Sequence, residues 1–464
     1  MNNIDWHDLP ATFRDAVAVC RSMDIRYLWI DSLCILQNFA GMTPDEVEIT
    51  SQDFVLENSN MAGTYQNSHF TISADLSTHM DSGMFSTEPV DDYSVEVTTD
   101  DGQRTSLFVR QCEINHYTER PELERRGWTL QEFLLPPRVL HFGMYDIEWR
   151  CGTHFACECG EIGLQEAEAC FSWHRHNDFQ ESTRTPPDDP QGILVWWEQV
   201  VNNYCNRGLT NATDKLPALS GLAQRRNQIR SGVYLAGLWQ ESLLHDLCWY
   251  SAIYHQVSYY HEIRRPIHYR APSWSWASLD GPGSCFWWWI GPDRRHPCKP
   301  KGEPEPACIF IDAACELATN DQTGAVKGGY LDMAVALIPG GISPYTGDLF
   351  DISNRWLHGL ETPHELEIVT LDCPGEEGAA IGDRVFCAPI AQFRSPDELQ
   401  YGCLVLQQLD AGTYRRVGFC SLTGRVGSTP SECNRGWYEQ NQSVLSTLDD
   451  YVIPDSSRVR IRII

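Results

Sequence analysis

Basic side chains are scarce in this sequence. Its 464 residues hold 35 Lys plus Arg against 63 Asp plus Glu, a net charge of −28. A surface that tracks phosphates wants a basic stripe, so the charge balance argues against a DNA or RNA binder. It argues equally against attraction to an anionic membrane. Long apolar runs are also missing. No stretch approaches 18 uninterrupted apolar residues, so no membrane insertion is expected. The aromatic run Phe286-Trp287-Trp288-Trp289-Ile290 is far too short to span. The opening MNNIDWHDLP lacks a basic start followed by an apolar core, so no secretory signal is read there, and a cytoplasmic location is expected. Several catalytic signatures are absent as well: GxxxxGK followed by Ser or Thr, GxGxxG, HExxH and GxSxG. Their absence lowers the case for an NTPase, a Rossmann dehydrogenase, a zinc protease or an α/β-hydrolase.

What is present is the material of folded cores. The chain is 42% hydrophobic, with 16 Trp, which argues against disorder and allows two or three domains. The 18 Cys are scattered through a long chain without a secretion signal, so they read as reduced, buried thiols rather than a disulfide framework. Asn211-Ala212-Thr213 is a formal glycosylation sequon and carries no meaning in that setting.

The first segment reads as α/β. Pro10 opens a helix in which Phe13, Ala16, Val17 and Cys20 recur at helical spacing. Tyr27-Leu28-Trp29-Ile30, ending in Asp31, reads as a buried parallel strand. Residues 45–66 are acidic, with a helix in their second half. Strands follow at 70–72, 139–142 and 147–149, with a helix over about 121–134. Alternation of helix and strand predicts a parallel sheet covered by helices. The Pro- and Asp-rich stretch 177–192 reads as a loop or boundary, and His174 and His176 before it as solvated loop residues. Between 193 and 250 the pattern is helical, with Val195, Trp196, Val200 and Tyr204 on one face and Leu235, Leu238, Trp239 and Leu243 on another. A second linker occupies 281–306. Beyond it, short runs rich in Val, Ile and Tyr at 307–312, 329–337, 366–372, 384–390, 402–408 and 414–421 predict an all-β domain. The resulting division is 1–155, 156–290 and 291–464, an α/β domain, a helical middle region and a β-rich domain.

Four constellations could carry chemistry. Asp31 stands where the predicted strand 27–30 ends, and ligands of open α/β sheets bind beyond strand carboxyl ends. It either lines a pocket or caps the next turn, with Cys34 a small core residue. In Arg125-Arg126-Gly127-Trp128-Thr129-Leu130-Gln131-Glu132, a helix would put Trp128 and Glu132 on one face. An aromatic beside a carboxylate favours a raised acid pKa, and Arg126 could grip a phosphate. The alternative is an amphipathic helix with Trp128 in the core and Arg126 paired to an acid. Cys151, His154, Cys157 and Cys159 are residue types that suit zinc. All four fall within nine residues, tighter than the separated pairs of structural zinc sites, and ordinary buried thiols are the other reading. In Ala271-Pro272-Ser273-Trp274-Ser275-Trp276-Ala277-Ser278, an extended segment would place both tryptophans on one face, as core between domains or as a stacking surface.

Taken together, three blocks resemble the fungal heterokaryon incompatibility (HET) domain family. They are Leu9-Pro10-Ala11-Thr12-Phe13-Arg14-Asp15-Ala16, Tyr27-Leu28-Trp29-Ile30-Asp31-Ser32-Leu33-Cys34-Ile35-Leu36-Gln37 and Arg126-Gly127-Trp128-Thr129-Leu130-Gln131-Glu132. Met61-Ala62-Gly63-Thr64-Tyr65-Gln66-Asn67-Ser68, Leu235-Ala236-Gly237-Leu238-Trp239 and the segment 271–278 look like the family as well. The resemblance covers the first ~285 residues well and the remainder loosely. It implies non-self recognition and regulated cell death when incompatible fungal cells fuse, acting through protein partners or self-assembly.

The HET domain is also thought to be a distant relative of Toll/interleukin-1 receptor (TIR) domains, some of which cleave NAD at the nicotinamide–ribose bond. The resemblance therefore implies a TIR-like parallel sheet. It carries the catalytic role to Glu132, four residues after Trp128. Arg126 would meet the pyrophosphate and Asp31 the pocket rim, with NAD as substrate and no cofactor or metal. Family members open with a strand and an S-Y-x-W-G-like block before the LPxTFxDA helix. The sequence begins almost at that helix, so the sheet is expected to lack its first strand and to protect residues 27–31 poorly against amide exchange.

Overall fold

The computed structural model describes residues 4–85, 93–98, 102–109, 123–143, 147–152, 154–158, 187–251, 263–281, 286–287, 304–344, 355–358, 365–373, 380, 383–394, 398–425 and 457–464. Cys159, His174, His176, residues 177–186, Trp288-Trp289-Ile290 and most of the 281–306 linker lie outside them. The chain forms two compact units, Met1–Pro186 and Pro187–Ile464.

In the first unit, Pro10 precedes helix α1 (Ala11–Ser22), whose buried positions Ala16, Val19 and Cys20 recur at three- and four-residue spacing. The next segment departs from the sequence expectation. Residues 25–30 form no ladder with any described strand, and Tyr27 is 85% exposed. Four apolar residues make a buried strand only when both faces are covered. Here Leu28 reaches the core, and Trp29 turns its ring edge to Tyr65. A single turn, α2 (Asp31–Cys34), follows, then the long helix α3 (Pro44–Gln66). That helix takes in the whole acidic stretch rather than its second half, because Thr43 and Glu46 close a capping box and Pro44 sits at the first helical position.

Strand β1 (Thr71–Ser73) follows, then a separate antiparallel pair of β2 (Tyr93–Thr98) and β3 (Arg104–Val109). The expected helix over 121–134 is reduced to a 3-10 turn at Leu123–Arg125 and the six-residue α4 (Thr129–Leu134). Gly127 interrupts its start, and Pro136-Pro137 forbid its continuation. Strands β4 (Arg138–Phe142), β5 (Ile147–Cys151) and β6 (Phe155–Cys157) complete a sheet of order β1-β4-β5-β6. Only β1 and β4 run parallel; β4, β5 and β6 are antiparallel. The sheet is therefore mixed rather than parallel, as the short connections after Phe142 and Cys151 require, since a parallel pair needs a long crossover. One face of this sheet packs Leu140 and Phe142 on Ala16 and Val19 of α1.

The second unit starts with α5 (Pro190–Cys205), capped by Asp189, and α6 (Pro217–Ile229). Leu235, Leu238, Trp239 and Leu243 are buried, but they do not belong to one helix. Strands β7 (Tyr234–Leu235) and β8 (Leu238–Trp239) form a hairpin, followed by the short α7 (Leu243–Asp246). The turn is Ala236-Gly237, with φ of 48° and 101°. Only glycine fits at 237, because a Cβ there would stand 2.7 Å from the Trp276 ring. The Gly237 carbonyl accepts from the indoles of Trp197 (2.9 Å) and Trp276 (3.1 Å). Trp274 and Trp276 are wholly buried in a looped segment that ends in a 3-10 turn, not in an extended strand.

A short pair, β9 (Trp249–Tyr250) with β10 (Phe286–Trp287), precedes a ten-stranded sheet. Its strands are β11 (Glu305–Pro306), β12 (Ile309–Leu317), β13 (Val326–Ala336), β14 (Ile338–Pro344), β15 (Arg355–His358), β16 (Glu365–Leu371), β17 (Arg384–Arg394), β18 (Glu398–Asp410), β19 (Thr413–Arg425) and β20 (Arg458–Ile463). The path is β12-β13-β20-β19-β18-β17-β14-β15, with β11 on β17 and β16 on β19. All six predicted β runs fall on these strands. The described cysteines are free thiols, and most are buried, Cys387, Cys403 and Cys420 inside this sheet among them. No described helix is long and apolar enough to cross a membrane.

Candidate functional site

Helix α3 organises the cluster. Phe54, Asn58, Met61 and Tyr65 recur every three or four residues and so share one face. That face meets α4 and the residue before it. Phe54 packs edge-on against Trp128 at 6.4 Å, and the Gln131 amide approaches the Met61 sulfur at 3.4 Å. The Tyr65 hydroxyl donates to the Glu132 carboxylate. Thr129 holds the start of α4, its hydroxyl donating to the Arg126 carbonyl at 2.8 Å and to the Leu123 carbonyl.

From the other side, the 27–38 segment is fastened to α3. The Leu36 N–H donates to Asp53 at 2.8 Å, and the Thr50 hydroxyl bonds the Asn38 side chain. This seats Trp29 against Tyr65, ring centroids 5.7 Å apart. Asp31 does not cap the turn but is its first residue, accepting the Ser32 N–H at 2.7 Å. Its charge is also felt at Tyr65.

Tyr65 gathers the group electrostatically. Its hydroxyl pKa is pushed well above the ordinary range, first by burial, then by the negative charges of Glu132 and Asp31 and by the hydrogen bond to Glu132, with Arg126 opposing. The hydroxyl therefore stays a proton donor throughout the working pH range. Arg126 is exposed, while Trp128 and Glu132 are half-buried. The four residues singled out in the sequence, Asp31, Arg126, Trp128 and Glu132, thus lie around one helix face. Tyr65, which the sequence reading left without a role, is acted on by Asp31, Arg126 and Glu132, while Trp128 packs on Phe54 of the same face. The signal that could have found it is the i, i+4, i+7, i+11 recurrence of Phe54, Asn58, Met61 and Tyr65, a polar-ended stripe in a helix otherwise poor in amphipathic pattern.

The cysteine cluster is placed differently. Cys151 and His154 close the β5–β6 turn, the Cys151 N–H donating to the His154 carbonyl at 2.9 Å. Cys157 lies opposite Glu148, three residues farther along the ladder, so roughly 10 Å away. Among the described residues, no three His, Cys, Asp or Glu come together to hold a metal ion.

A second polar group was not foreseen. At the carboxyl end of the parallel pair, His141 on β4 and Asp75 just past β1 face each other at 2.8 Å, and the Ser73 hydroxyl donates to the same carboxyl group. Phe133, the neighbour of Glu132, stacks on the His141 ring at 5.4 Å.

Residues 1–132 match the family model described as heterokaryon incompatibility protein (HET). The match ends at Glu132, so residues 235–239 and 271–278 lie beyond it. No curated protein and no solved structure matches the chain.

Proposed function

We propose that the chain acts in heterokaryon incompatibility, in non-self recognition that leads to regulated cell death, and that the Glu132 cluster supplies its chemistry by cleaving NAD. One observation carries the reading: Asp31, Arg126 and Glu132, drawn from two separated sequence blocks, all act on one tyrosine hydroxyl. The spacing of Trp128 and Glu132, which resembles that of NAD-cleaving TIR domains, supports the same reading.

The chemistry suits these residue types. The bond from the ribose anomeric carbon to the nicotinamide nitrogen breaks, and its electron pair leaves with neutral nicotinamide. The ribose carries oxocarbenium-like positive charge until water adds and releases a proton. A carboxylate stabilises that charge and holds ribose hydroxyls, as in glycoside hydrolysis. Glu132 takes this role. Tyr65 orients it and favours its ionised form by donating to it. Arg126, exposed and cationic, meets the pyrophosphate. Trp128 and Trp29 offer faces for stacking, and Asp31 forms the rim.

The test is release of free nicotinamide from NAD by the purified full chain, beside Glu132→Ala and Glu132→Gln. Cleavage that both substitutions abolish supports the reading. Silence of a folded, assembled wild-type chain turns the reading to a binding module in which Glu132 is structural.

A further inference from the structure

Helix α4 is held from two sides. Its Gln131 and Glu132 turn to α3, where they meet Met61 and Tyr65. Phe133 turns away from them, because successive helix positions point about 100° apart. It is buried, and its ring stacks on His141 of β4, with centroids 5.4 Å apart and planes at 21°. The placement of Glu132 against Tyr65 therefore depends on what fixes the sheet side of this six-residue helix.

The His141 ring is itself fixed. Nδ1 pairs with the Asp75 carboxyl group at 2.8 Å, and the Ser73 hydroxyl donates to the same group. A ring bonded in its own plane cannot turn without bending that bond, so Asp75 sets the plane that Phe133 meets. Both side chains are buried, so bulk water offers no ready substitute for either partner. Apolar filling of the same space often serves stability as well as a buried polar pair does. What the bonded pair adds is a ring of fixed orientation, which stacking requires. We infer that His141 is a positioning residue for Glu132: oriented by Asp75, it seats Phe133 and so holds α4 where the Glu132 carboxylate meets the Tyr65 hydroxyl. The consequence for activity rests on the chemistry proposed for Glu132. The placement does not, because the bond to Tyr65 reports it directly.

The experiment uses the full chain and two readouts. One is nicotinamide release from NAD across pH. The other is the NMR signal of Tyr65, isotope-labelled at its hydroxyl-bearing carbon and identified by its loss in Tyr65→Phe. Glu132→Gln gives the position of that signal without the carboxylate. Phe133→Leu keeps an apolar side chain and removes the flat ring. It should lower kcat roughly tenfold with KM little changed, and move the acid limb of the pH–rate profile upward. It should also shift the Tyr65 signal toward its place in Glu132→Gln. Combined with Tyr65→Phe it should add little, since both act through one bond. Asp75→Ala should have the same effects from farther away. Asp75→Asn, whose amide offers His141 both a donor and an acceptor, should restore most of the loss. If Asp75→Ala does not fold, Phe133→Leu decides. A Tyr65 signal left in place by the folded variants, or effects of Phe133→Leu and Tyr65→Phe that simply add, overturns the inference. A chain that releases no nicotinamide, yet whose Tyr65 signal moves as expected, fails the chemistry proposed for Glu132 and upholds its placement by His141.

Discussion

His141 Nδ1 lies 2.8 Å from an Asp75 carboxylate oxygen, and both side chains are buried. The sheet register explains how they meet. Ser73 on β1, His141 on β4 and Glu148 on β5 are directly opposed across neighbouring strands, so their side chains share one face. Glu148 is itself paired with Arg150 at 2.9 Å. The face toward α4 thus carries a buried polar layer, while the opposite face holds the apolar core with α1. The Asp75 carboxyl group pairs with His141 Nδ1 and accepts from the Ser73 hydroxyl, so removing one partner leaves a buried polar group without its hydrogen bond. Asp75→Ala should cost the first unit about 3–5 kcal/mol, with His141→Ala comparable and the double variant well short of the sum. Denaturant titration that resolves the two units checks this. Additive losses would mean that the pair is not coupled.

Arg416 on β19 is enclosed completely and ties the large sheet to the segments before it. Its guanidinium lies 3.4 Å from the centre of the Trp249 ring. Its Nε meets Asp372 at 3.2 Å, Nη1 donates to the Leu247 carbonyl at 2.8 Å, and Nη2 donates to the Trp249 carbonyl. Lysine cannot reproduce a planar fork of donors stacked on an indole. Arg416→Lys should therefore lower the stability of the second unit by about 2–4 kcal/mol, since buried acceptors lose their donors. A stability loss below about 1 kcal/mol by urea titration would show that the carbonyls find other partners.

Asp246 gives the second unit a pH dependence of defined sign. Burial pushes its carboxyl up to about 7, against donation from the Trp239 N–H and Ser242 hydroxyl and the nearby Arg226, and with Glu241 adding to the rise. The folded state therefore holds a proton that the unfolded chain releases near pH 4. This contribution is complete below about pH 4 and is lost as pH rises through about 7, by up to about 4 kcal/mol. Asp246→Asn, which keeps an acceptor for the Trp239 N–H, should flatten the stability profile of the second unit between those limits. A wild-type profile that is already flat there would place the Asp246 carboxyl at its ordinary value.

The β-rich region was the most legible part of the sequence. Its strands alternate Val, Ile and Leu with turn residues such as Asp410-Ala411-Gly412, so local pattern and tertiary position agree. Helix α1 was legible for the same reason. The failures share another cause. Tyr27-Leu28-Trp29-Ile30 has the composition of a buried strand, but composition cannot tell whether neighbours exist. Leu235 to Leu243 has helical spacing of buried residues, yet Ala236-Gly237 turns the chain there, and its positive φ values follow from the packing of Gly237 on Trp276. At the candidate site, Asp31, Arg126, Trp128 and Glu132 could be listed from residue type and spacing. Their convergence could not be read, because it depends on how α3 presents Tyr65 to both blocks.

That convergence yields the last prediction. Tyr65→Phe keeps the ring that meets Trp29 and removes only the hydroxyl that donates to Glu132. A hydrogen bond to a charged group is worth about 1.5–3 kcal/mol, so an activity that depends on Glu132 should fall roughly 10- to 100-fold. The loss belongs in kcat rather than KM, because the hydroxyl touches the Glu132 carboxylate and not a substrate. The Glu132 carboxyl, deprived of a donor to its charged form, should rise in pKa, so the acid limb of the pH–rate profile moves upward. Glu132→Gln should abolish activity whether or not Tyr65 is present. Tyr65→Phe with unchanged kcat and an unmoved acid limb would show that the bond between the two residues is only part of the packing of α3 on α4.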